Sequence, residues 1–306
     1  MLKRLTNHSE HRVFHQVSEA CEEFGAQVYQ KIRVADVIDI SKCSENYLGT
    51  YGLMAHFDFV ISNDEHFPLF ALEFDGTGHQ SKNDWKKNQV CQEAGLALFR
   101  INLKALNEQL EKMSFLRYLV HVWFMAHEFE RMRNCGQIPI DEPFVMEAFL
   151  KPNAEHIFDS EYEFTGPAKR KILQLNKKYN FSKSASADLH TIAHITLSKA
   201  MEKFAAIVSY DVGRTTVFGQ FRMELEIPSF GSLGETPFGP MAIADFAEGR
   251  AYKNLADRLE LFLDGAGHTL FSSDEILQQI DQLRSEGFTT LICGGPAGHP
   301  FISPLH

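Results

Sequence analysis

Apolar and polar residues alternate through His56-Phe57-Asp58-Phe59-Val60-Ile61 and return in Leu69-Phe70-Ala71-Leu72-Glu73-Phe74-Asp75, with Asn63, Asp64 and Pro68 in the turn between them. This pattern predicts a β-hairpin. A turn symmetric about residues 65 and 66 pairs position 58 with position 73. Side chains alternate along a strand, so Phe57, Phe59 and Ile61 point one way while Asp58 shares the other face with Ala71, Glu73 and Asp75.

Upstream, Val13, Phe14, Val17, Cys21 and Phe24 repeat at helical spacing, with Ser9 as N-cap and Gly25 past the end. Residues 26–34 alternate as a strand, and 41–55 read as a loop. Downstream, a helix starting near Ser81 or Asn83 runs to Ala94, Gly95 closes it, and Leu96 to Ile101 form the next strand. Lys104 to Asn134 carry the apolar positions of one long helix or two. The paired prolines of Ile138-Pro139-Ile140-Asp141-Glu142-Pro143 mark a linker, which divides the chain into residues 1–137 and 138–306. The first part is an α/β sheet of about four strands. The second reads as mixed α+β: helices over 168–179 and 187–209, strands around 216–227 and 241–246, helices around 255–263 and 273–286, and a terminal strand at 289–293.

A chain of 306 residues is long enough for about two domains. Its net charge of −10 argues against a surface that coats nucleic acid nonspecifically, since such binding rests on many Lys and Arg contacts to phosphate, so any nucleic-acid contact is expected to be local or shared with a partner. Five scattered cysteines, with no CxxC pair, fit a reducing compartment, so the expected location is cytoplasmic. There is no run of about 18 apolar residues, so no membrane span is expected.

The hairpin carries the chemistry. Like charges directly opposite on paired strands repel, and a fold that keeps them needs a compensating cation, a shared proton or full solvation. A divalent metal is the economical answer.

Asp58, the run Glu73-Phe74-Asp75-Gly76, His79, and Asp84-Trp85-Lys86-Lys87 ahead of Gly95 and Leu98-Phe99-Arg100-Ile101 together resemble a branch of the PD-(D/E)xK, restriction-endonuclease-like nuclease superfamily. That branch is similar to very-short-patch-repair endonucleases and related uncharacterised bacterial proteins, and the resemblance covers about residues 9–103. It implies an α-β-β-β-α-β core, a central mixed sheet flanked by helices. It also implies Mg²⁺-dependent hydrolysis of phosphodiester bonds, with Mn²⁺ as a substitute, and Asp58 and Glu73 as metal ligands together with the carbonyl of Phe74. His79 is the candidate for activating water or protonating the leaving oxygen. At position 75 the superfamily has a lysine and this chain has Asp75, which is carried as a catalytic candidate. Lys87 sits in the matching Asp-x-x-Lys position, with Lys82 and Lys86 close by, and Glu10 resembles a first-helix acid leaning toward the metal.

In the second half, Lys169, Arg170, Lys171, Lys177 and Lys178, with Tyr179 interleaved, are the candidate nucleic-acid contacts; a solvated helix face is the alternative. The expected function is therefore a metal-dependent nuclease, acting on DNA ahead of RNA. Its expected setting is a prokaryotic antiviral defence or DNA repair complex, with a protein partner or a second copy of the chain. The alternative is a catalytically inactive scaffold that mediates protein or nucleic-acid interaction.

Overall fold

The chain forms two units, Met1–Phe144 with Glu224–Gly239, and Val145–Met223 with Pro240–His306. The computed structural model describes residues 6–76, 83–150, 160–180, 192–200, 202–212, 215–230, 240–266, 273–296, 299 and 301. In the first unit the order is α1 (His8–Glu22), β1 (Gln27–Arg33), α2 (Val34–Val37), α3 (Asn46–Met54), β2 (His56–Ser62), β3 (Pro68–Asp75), α4 (Asp84–Ala94) and β4 (Ala97–Asn102). Then come α5 (Leu103–Asn107), the two-residue strands β5 (Gln109–Leu110) and β6 (Met113–Ser114), and α6 (Phe115–Asn134). The second unit contributes α7 (Gly166–Tyr179), β7 (Ala193–Lys199), β8 (Lys203–Val212) and β9 (Thr215–Glu224). After β10 (Glu226–Phe230), which lies in the first unit, come α8 (Pro240–Leu263), α9 (Ser273–Ser285) and β11 (Thr289–Gly294).

The first unit is a mixed α/β layer structure. Its sheet has the order β1-β2-β3-β4-β10. Only β3 and β4 run parallel; the other neighbours are antiparallel. The fifth strand comes from residues 226–230, beyond the four strands expected of the first hundred residues or so. Phe59, Val60 and Ile61 face Leu72, Ala71 and Phe70, and one further step brings 58 opposite 73, the register expected from the turn. Val60, Ala71 and Leu98 pack in a buried cluster with Val34 and Leu48, and with Val90 and Cys91 of α4. Phe57, expected opposite this face with Phe59 and Ile61, belongs to the same cluster. Phe70 packs edge-to-face against Phe99 of β4 and at a tilt against Trp123 of α6, with ring centroids 5.7 and 4.7 Å away.

Several expectations are corrected. The N-cap of α1 is Asn7, not Ser9: its side chain accepts the Glu10 N–H at 2.8 Å, and Glu10 accepts the Asn7 N–H at 3.0 Å. Such a cap contributes about 1 kcal/mol. Within the expected loop 41–55, Asn46–Met54 is helix α3. Its two glycines each weaken a helix by about 1 kcal/mol and hide its periodicity. Packing decides the matter: Leu48 and Gly52 are buried, and a Cβ on Gly52 would stand 2.7 Å from Ile40 Cγ2. Of the two alternatives for 104–134 the structure has two helices, α5 and α6, separated by the β5–β6 hairpin, where Glu111 takes a positive φ of 50°.

In the second unit the sheet order is β11-β7-β8-β9. The helix expected over 187–209 is instead, in its described part, the antiparallel pair β7 and β8, in register from Ala193 opposite Ser209 to Lys199 opposite Lys203. Both faces of β8 are buried, so its apolar run loses the alternation that would mark a strand. The strand expected over 241–246 lies inside α8, where Ala242, Ile243, Ala244, Phe246 and Ala247 are all buried. Ile276, Ile280 and Leu283 of α9 pack with Ala193, Ile195, Leu197, Ala205 and Ile207. Gly219 allows β9 to lie against α8, since a Cβ there would be 2.1 Å from the Ala251 carbonyl oxygen.

Within α8, burial and then the charges of Glu147 and Glu248 push the Asp245 carboxyl up to about 8. A folded-state pKa above the unfolded one makes the folded chain bind the proton more tightly. Stability then falls as the pH rises from ~4 toward that value and levels off beyond it. The thermal midpoint of Asp245→Asn, measured by circular dichroism against the parent chain, is expected to gain with pH across this window and to stay constant above it. A difference independent of pH contradicts the assignment.

Candidate functional site

The sheet face under α4 turns from apolar to charged toward the carboxyl ends of the parallel strands β3 and β4. Ala71 and Leu98 are partners across β3 and β4, and two residues further on Glu73 partners Arg100. Together with Glu10, Lys31, Tyr51, Asp58, Asp75, Asp84 and Lys87, these two charged residues line a cleft of about 290 Å³. The hairpin register sets the centre of the cleft. The Asp58 N–H donates to Glu73 Oε1 at 3.2 Å, and the Phe74 N–H donates to Asp58 Oδ2 at 3.0 Å. Each carboxylate thus bonds a backbone amide of the opposite strand.

Each also carries an ammonium. Lys31 Nζ lies 2.5 Å from Asp58 Oδ1 and 3.0 Å from Glu10 Oε1, joining α1, β1 and β2. Lys31 holds this place with a φ of 54°, a left-handed conformation inside a strand that side-chain-bearing residues rarely adopt. Lys87 Nζ lies 2.5 Å from Glu73 Oε2 and donates to the His56 carbonyl at 2.8 Å. The pair is almost wholly buried.

Helical spacing in α4 explains Lys87. Asp84, Lys87, Asn88 and Cys91 fall on one stripe, and that stripe faces the sheet. Asn88 accepts a hydrogen bond of 2.9 Å from the Arg100 guanidinium, which also lies 3.6 Å from Asp75, 3.7 Å from Asp84 and 3.6 Å from Glu226. Arg100 is only 4% exposed, and its Nε has no hydrogen-bond partner.

Burial, reinforced by Asp58, raises the pKa of Glu73 above the ordinary carboxylate value, with Lys87 and Arg100 opposing. Burial likewise raises Asp75; Arg100 opposes it, while Asp84 and Asp58 add to it. Burial next to Glu73 and Asp84 pushes the Tyr51 hydroxyl up to about 12. For Lys31, burial disfavours the charge but is outweighed by Asp58 and Glu10, so its pKa rises.

The fold brings Asp58, Glu73, Asp75, Lys87 and Glu10 into this one cleft. His79 and Lys82 lie outside the described residues. The Lys86 ammonium stands 5.8 Å from the Tyr51 ring centroid and 5.7 Å from that of Trp85. In the second unit, Lys171 bonds Asp257 at 2.8 Å and Glu260 at 2.7 Å, and Lys178 lies 3.8 Å from Asp264. Lys169 stands over the Tyr252 ring, while Arg170 and Lys177 are exposed. Two of these five basic residues therefore already face carboxylates, Lys171 those of α8 and Lys178 that of Asp264 just past its end.

Sequence reasoning gave no role to Lys31, Tyr51, Asp84 or Arg100. The pairing of Gln30 with Phe59 and Ile32 with Phe57 sets Lys31 opposite Asp58. No short turn joins β1 to β2, so their register cannot be read from the chain.

Among the cleft-lining residues are five carboxylates and three cationic side chains, which leaves the cleft net negative. The ammoniums on Asp58 and Glu73 stand in for a cation at both carboxylates. A hard divalent ion such as Mg²⁺ takes one or two carboxylates and keeps several waters, and Asp58 and Glu73 are the carboxylates that could hold one in place of the ammoniums. Among the described residues, no group of three or more His, Cys, Asp or Glu side chains is arranged to hold a metal.

A family model described as DUF2726, protein of unknown function, matches residues 2–114. That span includes every residue lining the cleft. No curated protein and no solved structure matches the chain.

Removing Lys87 leaves Glu73 buried without its cation. Lys87→Met is expected to destabilise the chain by about 3–5 kcal/mol near neutral pH. Because the Glu73 pKa is already raised, the loss shrinks toward acid pH, where the carboxyl is protonated, and grows as the pH rises. Adding Glu73→Gln recovers most of it. Denaturant midpoints of both variants at several pH values check the coupling, and equal loss in the single and double variants refutes it.

Proposed function

We propose that the cleft is the active site of a metal-dependent nuclease that hydrolyses phosphodiester bonds, with DNA as its substrate, on a restriction-endonuclease-like core. The observation that carries this reading is the cross-strand pair Asp58 and Glu73, each with a cation 2.5 Å away, inside a cleft that also holds a buried guanidinium. The order α1-β1-β2-β3-α4-β4, with α2 and α3 inserted after β1, supports the core.

Asp58 and Glu73 would hold the ion, which when bound polarises the scissile phosphate and lowers the pKa of its water. The chain's own groups supply the remainder. Lys87 fixes the rotamer of Glu73 and adds positive charge beside the phosphate position, in place of the lysine that Asp75 displaces. Arg100, with an unbonded Nε, balances Asp75 and Asp84 and offers a second positive charge. Asp75, whose carboxyl pKa is raised by burial against the opposing pull of Arg100, stands beside Glu73 as a candidate for proton transfer. Tyr51 stays protonated and can donate a hydrogen bond to a phosphate oxygen. The charge of −10 favours action beside a partner that positions the polyanion, in a defence or repair complex by analogy.

A second reading, a noncatalytic scaffold on the same core, is favoured by one observation: Lys31 already neutralises Asp58. Plasmid, single-stranded DNA and RNA incubated with Mg²⁺ or Mn²⁺ separate the two. The nuclease reading expects cleavage that chelation abolishes and that Asp58→Ala lowers about a hundredfold or more, the scale of lost metal stabilisation. No cleavage of any substrate, alone or with the natural partner, leaves the scaffold.

A further inference from the structure

The outer face of α4 carries a second set of residues that the cleft does not use. Trp85 is 52% exposed and its ring lies 5.7 Å from that of Tyr47, itself 41% exposed, on α3. Tyr47 and Tyr51 are one helical turn apart, and Tyr51 lines the cleft. Lys86 sits within 6 Å of both the Tyr51 and Trp85 rings and pairs with no carboxylate among the described residues. Met54, another turn along α3, is 79% exposed. A soluble fold ordinarily buries large aromatic rings, so exposed ones joined to a charged cleft mark a contact surface.

We propose that Trp85, Tyr47 and Lys86 form a platform for unpaired nucleobases, so that the cleft receives a single strand of nucleic acid. The chemistry fits such a strand. Partly exposed aromatic rings stack any base without reading its sequence, and a neighbouring ammonium meets the backbone phosphate. Bases within a duplex are already stacked on one another and cannot lie on these rings. Tyr51 joins the two surfaces, so a strand whose phosphate enters the cleft has its adjoining base over α3 and α4. The inference deepens the nuclease reading by naming its substrate class.

The chain has two tryptophans, and Trp123 is buried at 3% exposure, so Trp85 supplies the solvent-sensitive emission. Titration in chelator, where no metal-dependent cleavage occurs, tests binding by itself. The probes are labelled oligothymidylate, oligouridylate and a duplex of equal length, read by tryptophan quenching and by anisotropy. A single strand of either sugar is expected to quench Trp85 and to bind more tightly than the duplex. Trp85→Ala and Tyr47→Ala are expected to weaken binding roughly tenfold, the effect of one lost stacking contact, while Trp85→Phe keeps most of the affinity. Lys86→Ala should lower the slope of log affinity against log salt by about 0.7. Unchanged Trp123 emission shows that each variant that keeps Trp123 is folded. Wild-type affinity in Trp85→Ala, equal quenching by duplex, or no binding of either single strand overturns the platform. Cleavage by a chain whose Trp85→Ala variant binds single strands normally sinks the platform but not the nuclease. Quenching by single strands without cleavage of any substrate sinks the nuclease but not the platform.

Discussion

Two like-charged side chains, Asp58 and Glu73, stand against each other because the register of one hairpin leaves them no alternative, and most of the first unit's polar architecture answers that repulsion. Their contacts come from four separate elements. Backbone amides of the opposite strands bond each carboxylate, Lys31 reaches Asp58 from β1, and Lys87 reaches Glu73 from α4. The Lys31 backbone conformation shows that the arrangement is costly: a left-handed residue within a strand persists only where its surroundings over-determine it.

The parallel pairing of β3 with β4 extends the site. It sets Glu73 beside Arg100. Because α4 follows β3 and covers the sheet, one stripe of it, Asp84, Lys87 and Asn88, serves the carboxylates and the guanidinium. The intervening residues Trp85 and Lys86 necessarily face outward. A single helix therefore links a charged cleft to an aromatic surface, and its period of 3.6 residues assigns each residue to one or the other.

Electrostatics also separates this cleft from the basic helix of the second unit. In the cleft, carboxylates outnumber cations and the pKa values of Glu73 and Asp75 are raised, as expected where negative charge is crowded and partly desolvated. On α7, Lys171 meets Asp257 and Glu260 of α8 in partly exposed pairs, each contributing little. Density of charge in sequence was greater on α7. Density in space is greater around Asp58.

The sequence by itself determined the hairpin, its register, the pairing of Asp58 with Glu73, and the placement of Lys87 on the following helix. These are local: a short turn fixes pairing, strand alternation fixes the face, and Gly95 ends the helix in the left-handed conformation. It misled where locality failed. Glycines hid α3, burial on both faces made β7 and β8 resemble a helix, and dense small apolar residues disguised the start of α8 as a strand. Only tertiary structure decided that Lys31 faces Asp58, that Arg100 lies beside Glu73, and that residues 226–230 complete the sheet. Those pairings join segments with no short turn between them, so their register follows from the packing of the whole unit and leaves no periodic trace along the chain.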